Sequence, residues 1–474
     1  MTTFTLHDIL QGTGGELDAR GRASALAEVE FRGVTIDSRG AQDGALFVAL
    51  QGERVDGHAY VAGAVANGAH GALVRRDWPT PDELPEGVAL VRVDDPLAAL
   101  QALARWWRER CGAQAIAITG SIGKTSTKEA LAAVLSEKYS TLKSAGNLNN
   151  EIGLPLTLLR LTPEHEKAVL EMGAGYALGE LTFLCGLAAP EIAVVTNVGP
   201  VHLERMGTIE RIALNKSELV AALPASGTAV LNGDDARVRA MHSVTQARVL
   251  FYGLGDDNDL RATDVVSKGL QGVDFTLEVR EMTDDQANVV RRRSIHLPLL
   301  GKHSVYTALA AAGAAHAAGM SWDEVVQALE GLHAQVRLLP VAGLNGSTLI
   351  DDSYNAAPDS VVAALDLLSE MPGAKIAVLG DMLELGSHTE EGHLRVGRRA
   401  AEVADMLVAV GNLGRMIGEE AQRAGMPPGR VFFSMENSRV IDYLRGLLKQ
   451  GDHVLVKGSR GLYMDKIVEG LKVE

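Results

Sequence analysis

The sequence predicts an α/β protein of three domains, and three observations carry that prediction. At 474 residues the chain exceeds the length at which one hydrophobic core usually keeps growing, so two to four domains are expected. Short apolar runs alternate with helix-forming stretches over most of its length, the pattern of a mainly parallel sheet covered on both faces. That alternation begins afresh after about residue 334, and a shorter region of mixed character precedes it.

Residues 1–95 form the first region, a small mixed α/β N-terminal domain. In it "GVTIDSR" (33–39) and "GALFVAL" (44–50) read as strands and "AYVAGAVANGA" (59–69) as a helix. The stretch from Trp78 to Glu86, with prolines at 79, 81 and 85, reads as a loop. The second region, residues 96–334, opens with a helix from Leu97 to Arg110 and the buried-type strand "AIAIT" (115–119). A helix from Lys124 to Tyr139 follows, then apolar strands in "AVLEM" (168–172), "IAVVTNV" (192–198) and "TAVLNG" (228–233). Residues 247–300 are more β-like and predict an antiparallel extension. The alanine-rich run from Ala308 to Met320 carries His316 and reads as a packed helix, too short and too polar for a bilayer span. The third region, residues 335–474, has strand candidates at "TLIDD" (348–352), "KIAVLGD" (375–381), "MLVAVG" (406–411), "RVFFS" (430–434) and "HVLVKG" (453–458). Helices between them make it Rossmann-like, yet it has no GxGxxG, so no dinucleotide site is indicated.

Composition narrows the function. Hydrophobic residues are 46% and charged residues 22%, ordinary for a soluble globular protein. A net charge of −15 argues against a nucleic-acid binder, which needs a basic surface to displace counterions. Two cysteines imply no disulfide framework, and the N-terminus lacks the basic start and apolar run of a secretory signal. A cytoplasmic protein without a membrane span, working as a monomer, is expected.

The strongest local signal is "AIAITGSIGKTSTKEAL" (115–131), in which an apolar strand enters a glycine-bearing turn and a helix leaves it. Gly120 and Gly123 let the backbone bend so that N–H groups face an anion, and the helix start adds its dipole. The context makes the second region a P-loop ATPase-type domain, with ATP phosphates held by Thr119, Gly120, Ser121, Ile122, Gly123, Lys124, Thr125 and Ser126. Lys124 reaches the β and γ phosphates, and the Thr125 hydroxyl suits Mg²⁺. The general eight-residue pattern would have its first glycine at position 118, which is Ile118, so a shorter TGSxGKT form remains. Downstream, Glu171 ends a strand, His202 follows another, and Lys216 lies in the helical "RIALNKSEL". Each has a bland reading as well: a helix cap, a structural loop histidine and a solvated surface lysine.

Together "TGSIGKTSTKE" (119–129), "GNLNNEIGLPLTLL" (146–159), "EMGA" (171–174), "VVTNVGPVHLERMG" (194–207), "DDSYNAAPDS" (351–360), "LGDMLELG" (379–386) and "VLVKGSRG" (454–461) closely resemble the Mur ligase family. The resemblance covers essentially the whole chain. "GNLNNEIGLP", "DDSYNAAPDS" and "VKGSR" are similar to its dipeptide-adding branch. It implies an ATP- and Mg²⁺-dependent ligase that joins the C-terminal carboxylate of UDP-MurNAc-tripeptide to D-alanyl-D-alanine through an acyl phosphate. A sibling ligase that adds a single amino acid, or glutamate to a folate-like substrate, is the alternative. By resemblance, Lys124, His202 and Lys216 are catalytic, and Thr125, Glu171, His202 and a carbamylated Lys216 hold metal. Arg337 and Asp352 would reach the nucleotide. Ser38 would meet the UDP moiety and Asn149 and Asn150 the substrate near the loop, although an asparagine-rich turn also explains the last two. Lys457 and Arg460 would receive the D-alanyl-D-alanine carboxylate, to which arginine presents a matching fork. The chain departs from the family at Ser304 and Thr307, where asparagines are usual beside adenine, and at Ala357.

Overall fold

A computed structural model describes the chain except residues 1, 19–28, 53, 83, 86, 202, 283–287, 333–337 and 474, and describes 281, 282, 288 and 289 by backbone alone. Three main sheets follow one another along the sequence. The first runs Glu16–Asp18, Ala89–Val93, Gly71–Arg75, Leu46–Val48, Val34–Thr35, parallel except for its first member. Beside it, Thr3–Thr5 pairs antiparallel with Glu30–Arg32. The expected strand at 33–39 stops at Thr35, because the Asp37 carboxylate accepts the Arg39 N–H and turns the backbone into a short helical turn at Ser38–Gly40.

The central sheet has nine strands. From one edge it runs Thr141–Lys143, Lys167–Glu171, Gln114–Thr119, Ile192–Val195, Thr228–Asn232, Arg248–Gly253, Leu260–Ser267, all parallel, and closes with Val273–Met282 and Asn288–Leu297 antiparallel. The antiparallel extension thus begins at 260–267 rather than 247, since Arg248–Gly253 still pairs parallel with Thr228–Asn232. From Gln114–Thr119 the chain first goes to the edge, returns beside it as Lys167–Glu171, and then crosses to its other side as Ile192–Val195. That reversal opens a crevice at the carboxyl ends of these three strands.

The third sheet has the order Leu339–Ala342, Thr348–Asp352, His453–Lys457, Lys375–Gly380, Met406–Val410, Val431–Ser434, parallel except for the first. Two hydrophobic clusters cover its faces. In the centre, Ser304–Ala317 is buried almost all round, as its alanines require, and His316 stacks on Trp322 with ring centroids 4.0 Å apart. Among the described residues no helix is long and apolar enough to cross a membrane. Helix Pro96–Cys111 is started by Asp95, whose carboxylate accepts the Leu97 N–H, and ended by Gly112 at φ 69°. Its Trp107 packs edge-on against Phe4 and donates to the Leu161 carbonyl, so one cluster runs from the first sheet into the second.

Candidate active site at the phosphate loop

The loop between strand Gln114–Thr119 and helix Lys124–Ser136 turns through Gly120 at φ 142° and Gly123 at φ 87°. A Cβ at Gly120 would lie 1.9 Å from Thr196 Oγ1, so glycine is needed there for space as well as for dihedral freedom. The Lys124 ammonium curls over the loop and donates to the carbonyls of Gly120 at 2.7 Å and Ser121 at 3.2 Å. Thr119 Oγ1 donates to the Met172 carbonyl, which ties the loop's entry to the neighbouring strand end. Ser121 Oγ donates to the Gly199 carbonyl.

Register places Glu171 opposite Ile118, so its side chain emerges beside the loop. It is 2% exposed; Oε1 accepts the Asn149 amide at 2.9 Å, while Oε2 is buried without a hydrogen-bond partner. A buried carboxylate oxygen left unpartnered is costly unless a cation completes it. Lys128, fully buried one helical turn beyond Lys124, brings its ammonium to 3.9 Å from that oxygen, too far for a hydrogen bond. A hard, oxygen-seeking cation such as Mg²⁺ therefore fits this donor set, with the Thr125 hydroxyl on the adjoining wall of the same cleft.

Lys216 overturns its bland reading. It is 2% exposed and donates to the Ala174 carbonyl at 2.6 Å and to Asn215 Oδ1 at 3.2 Å. Burial, reinforced by the positive charge of Lys124, pushes its pKa down to about 7. A large share of this amine is neutral near pH 7 and so nucleophilic toward carbon dioxide, the state carbamylation requires.

Across the crevice, in a cavity of about 1660 Å³, the third sheet presents Asp352, Lys457 and Arg460. Asp352 and Lys457 are both buried and form an ion pair with each other, and Lys457 Nζ also donates to the Asn355 carbonyl at 3.0 Å. Arg460 lies over the Tyr354 ring, 5.3 Å from its centroid.

The structure thus brings Thr125, Ser126, Lys124, Glu171, Asn149, Asn150, Asp352, Lys457 and Arg460 to one cleft. Asn150 also caps helix Gly153–Leu158, its Oδ1 accepting the Gly153 N–H at 2.9 Å. Ser38 lies in the first sheet's turn, away from this lining, where its carbonyl accepts the Asn67 amide. His202 and Arg337 fall outside the described residues. Ser304 is buried and spends its hydroxyl on the Gly301 carbonyl at 2.7 Å, and both Ser304 and Thr307 line the cleft. Sequence reasoning did not single out Thr196, Asn197 or Lys128. The first two stand inside the "VVTNVG" segment, and the third repeats Lys124 at helical spacing.

Three family descriptions match the chain: "Mur ligase family, catalytic domain" over residues 30–108, "Mur ligase middle domain" over 118–315 and "Mur ligase, glutamate ligase domain" over 336–460. The UDP-N-acetylmuramoyl-tripeptide–D-alanyl-D-alanine ligase of Escherichia coli K12 is 37% identical across 100% of this chain and 99% of its own. A crystal structure of MurF from Acinetobacter baumannii superposes with a TM-score of 0.84 at 31% identity, covering 98% of each chain. MurF from Thermotoga maritima, solved in complex with ADP, gives 0.77 at 29% identity, covering 93% of this chain and 96% of that one.

Proposed function

The chain belongs to the Mur ligase family, and we propose that it is an ATP-dependent ligase joining D-alanyl-D-alanine to the C-terminal carboxylate of UDP-MurNAc-tripeptide, giving the pentapeptide precursor of peptidoglycan. The observation that carries this reading is the cleft itself. A phosphate loop and a buried, half-satisfied carboxylate line one wall, and a lysine and an arginine line the other.

A carboxylate is a poor acyl donor because its oxygen cannot leave. Moving the γ-phosphoryl group onto it creates an acyl phosphate, from which phosphate departs when the amine attacks. Both steps crowd anions together, so the site must supply positive charge and N–H donors already in place. Lys124 and the loop amides would neutralise the β and γ phosphates. Thr125 and Glu171 would hold Mg²⁺, which when bound spreads the charge of the phosphate oxygens. Lys216, as a carbamate, would add an anionic oxygen ligand where the polypeptide offers only a cation. The Asp352–Lys457 pair lets the third domain carry a nucleotide contact and an acceptor for the dipeptide carboxylate side by side, with Arg460 available as the fork.

The same proposal divides the chain into a UDP-sugar domain (1–95), an ATP-binding domain (96–334) and a ligase domain (335–474), with Ser38 serving the UDP end. It places the enzyme in the cytoplasm as a monomer, in keeping with two free, buried cysteines. Phosphate release by the purified chain tests it. Release requiring both UDP-MurNAc-tripeptide and D-alanyl-D-alanine is expected, whereas equal turnover with a single amino acid would sink it. Supplying tripeptides ending in diaminopimelate or lysine identifies the preferred substrate.

A further inference from the structure

Glycines let the phosphate loop bend, but they do not decide which way each peptide faces. Two side chains from another strand end do. The Ile122 carbonyl accepts from Thr196 Oγ1 at 2.6 Å and from Asn197 Nδ2 at 2.9 Å. The Ile122 N–H donates to Asn197 Oδ1, also at 2.9 Å. One carboxamide therefore grips both polar groups of Ile122, and the Asn197 backbone carbonyl takes the Ser121 N–H at 3.0 Å besides.

In a planar trans peptide the carbonyl and the following N–H point in opposite directions. With the Ile122 carbonyl drawn back toward strand Ile192–Val195, the Gly123 N–H is turned the other way, into the cleft. A reversed peptide would aim a carbonyl oxygen at an incoming phosphate, and the repulsion would replace an attraction. At Gly123, with no side chain to resist it, little local sterics opposes that reversal. Thr196 also lies against Gly120, so both ends of the turn are set by the same residue pair.

We propose that Asn197 and Thr196 are positioning residues for nucleotide phosphate: they lock the Ile122–Gly123 peptide with its carbonyl inward and keep the loop in its anion-accepting form. The proposal rests on the reading of this loop as a phosphate cradle. Neither side chain needs to touch the nucleotide.

Calorimetric titration of the full chain with ADP, paired with steady-state kinetics, tests it. Asn197→Asp keeps the size and the acceptor toward the Ile122 N–H but sets an oxygen against its carbonyl. Thr196→Val removes the hydroxyl at constant shape, and Thr196→Ser restores it. Both disruptive variants should weaken ADP by about tenfold or more and raise the ATP KM to match, since each removes one of the two donors that fix the direction of the part-buried Ile122 carbonyl. The KM for D-alanyl-D-alanine and the melting temperature should hold, and Thr196→Ser should recover the affinity that Thr196→Val loses. ADP binding by Asn197→Asp and Thr196→Val within about twofold of wild type would overturn the proposal. So would an equal loss in Thr196→Ser, or a loss spread over every substrate together with the melting temperature, since that marks plain structural damage. Absence of ADP binding in the wild-type chain is a separate outcome, which overturns the cradle reading and this proposal with it.

Discussion

Lys124 and Lys216 stand in opposite settings, one over the carbonyls of the glycine-bearing loop and the other buried beside Ala174 and Asn215, and the roles proposed for them make opposite demands on their charge. Lys124 stands at the head of its helix over the carbonyls of Gly120 and Ser121, and the role proposed for it is electrostatic rather than one of packing. Lys124→Ala should therefore lower kcat/KM by about two to three orders of magnitude while leaving the melting curve in place. Turnover near the wild-type level would remove the assigned role. Lys216 is held as a buried amine with its pKa brought down to about 7 from an ordinary 10.5. Between those values the unfolded chain binds a proton that the folded chain rejects, so this group makes stability rise with pH across that window. Lys216→Met should flatten the rise in denaturant midpoint between pH 7 and pH 10. If the carbamate forms, Lys216→Ala activity should return in part with added acetate or formate, and absence of rescue counts against the carbamate. Both lysines stand out in the sequence, Lys124 through the loop motif and Lys216 only through the family resemblance. The loop motif is local, whereas the burial of Lys216 depends on helix Ile209–Ala221 packing over residues 174–177, which no nearby pattern announces.

At the level of elements, the period of the apolar residues predicted most strands and helices, because parallel strands buried on both faces read as unbroken runs such as "AIAIT" and "HVLVK". Ends were less legible. Strand Ile192–Val195 stops three residues before the apolar run does, where the side chains of Thr196 and Asn197 turn to bond the Ile122 peptide of the loop. That reason lies about seventy-five positions away in sequence, beyond the reach of any local pattern. The "NLNN" segment shows the same limit, for two asparagines that look alike in sequence have different partners one residue apart. Asn149 bonds Glu171 in the cleft, and Asn150 caps helix Gly153–Leu158. Asn150→Ala should thus lower stability by about 1 kcal/mol, the usual loss for a helix cap. Asn149→Ala should instead raise the Mg²⁺ concentration needed for half-maximal rate, with little change in melting temperature. A reversed pattern in the two variants would exchange their roles.

The whole molecule is built from cores that do not coincide with its sheets. One hydrophobic cluster runs from Phe4 and Leu46 in the first region through Leu100 and Trp107 to Leu158 and Leu170 in the second. Helix Pro96–Cys111 is the shared piece, packing on helix Leu6–Thr13 of the first region and on helix Gly153–Leu158 of the second. The third region differs. Both faces of its sheet are covered by its own helices, and among the described residues its ties to the centre include the polar pairs of Ser267 and Lys302 with Glu370 and of Arg205 with Glu384, beside the apolar contact of Leu300. Polar ties at a surface contribute little, whereas a shared apolar core couples the folding of its two sides. Residues 338–474 expressed alone should therefore fold, with a cooperative thermal transition and native-like far-ultraviolet dichroism. Residues 1–95 alone should not, because the cut exposes Phe4 and the apolar residues that helix Pro96–Cys111 covers. Trp107→Ala should destabilise both of the first two regions together, by about 3–5 kcal/mol, and leave the third transition unmoved. Calorimetry of the intact chain reads this directly as two resolvable transitions, of which only the one belonging to residues 1–334 shifts in the variant. A single transition that moves as a whole would show instead that the polar ties across the cleft couple all three regions, and that the third region has no stability of its own.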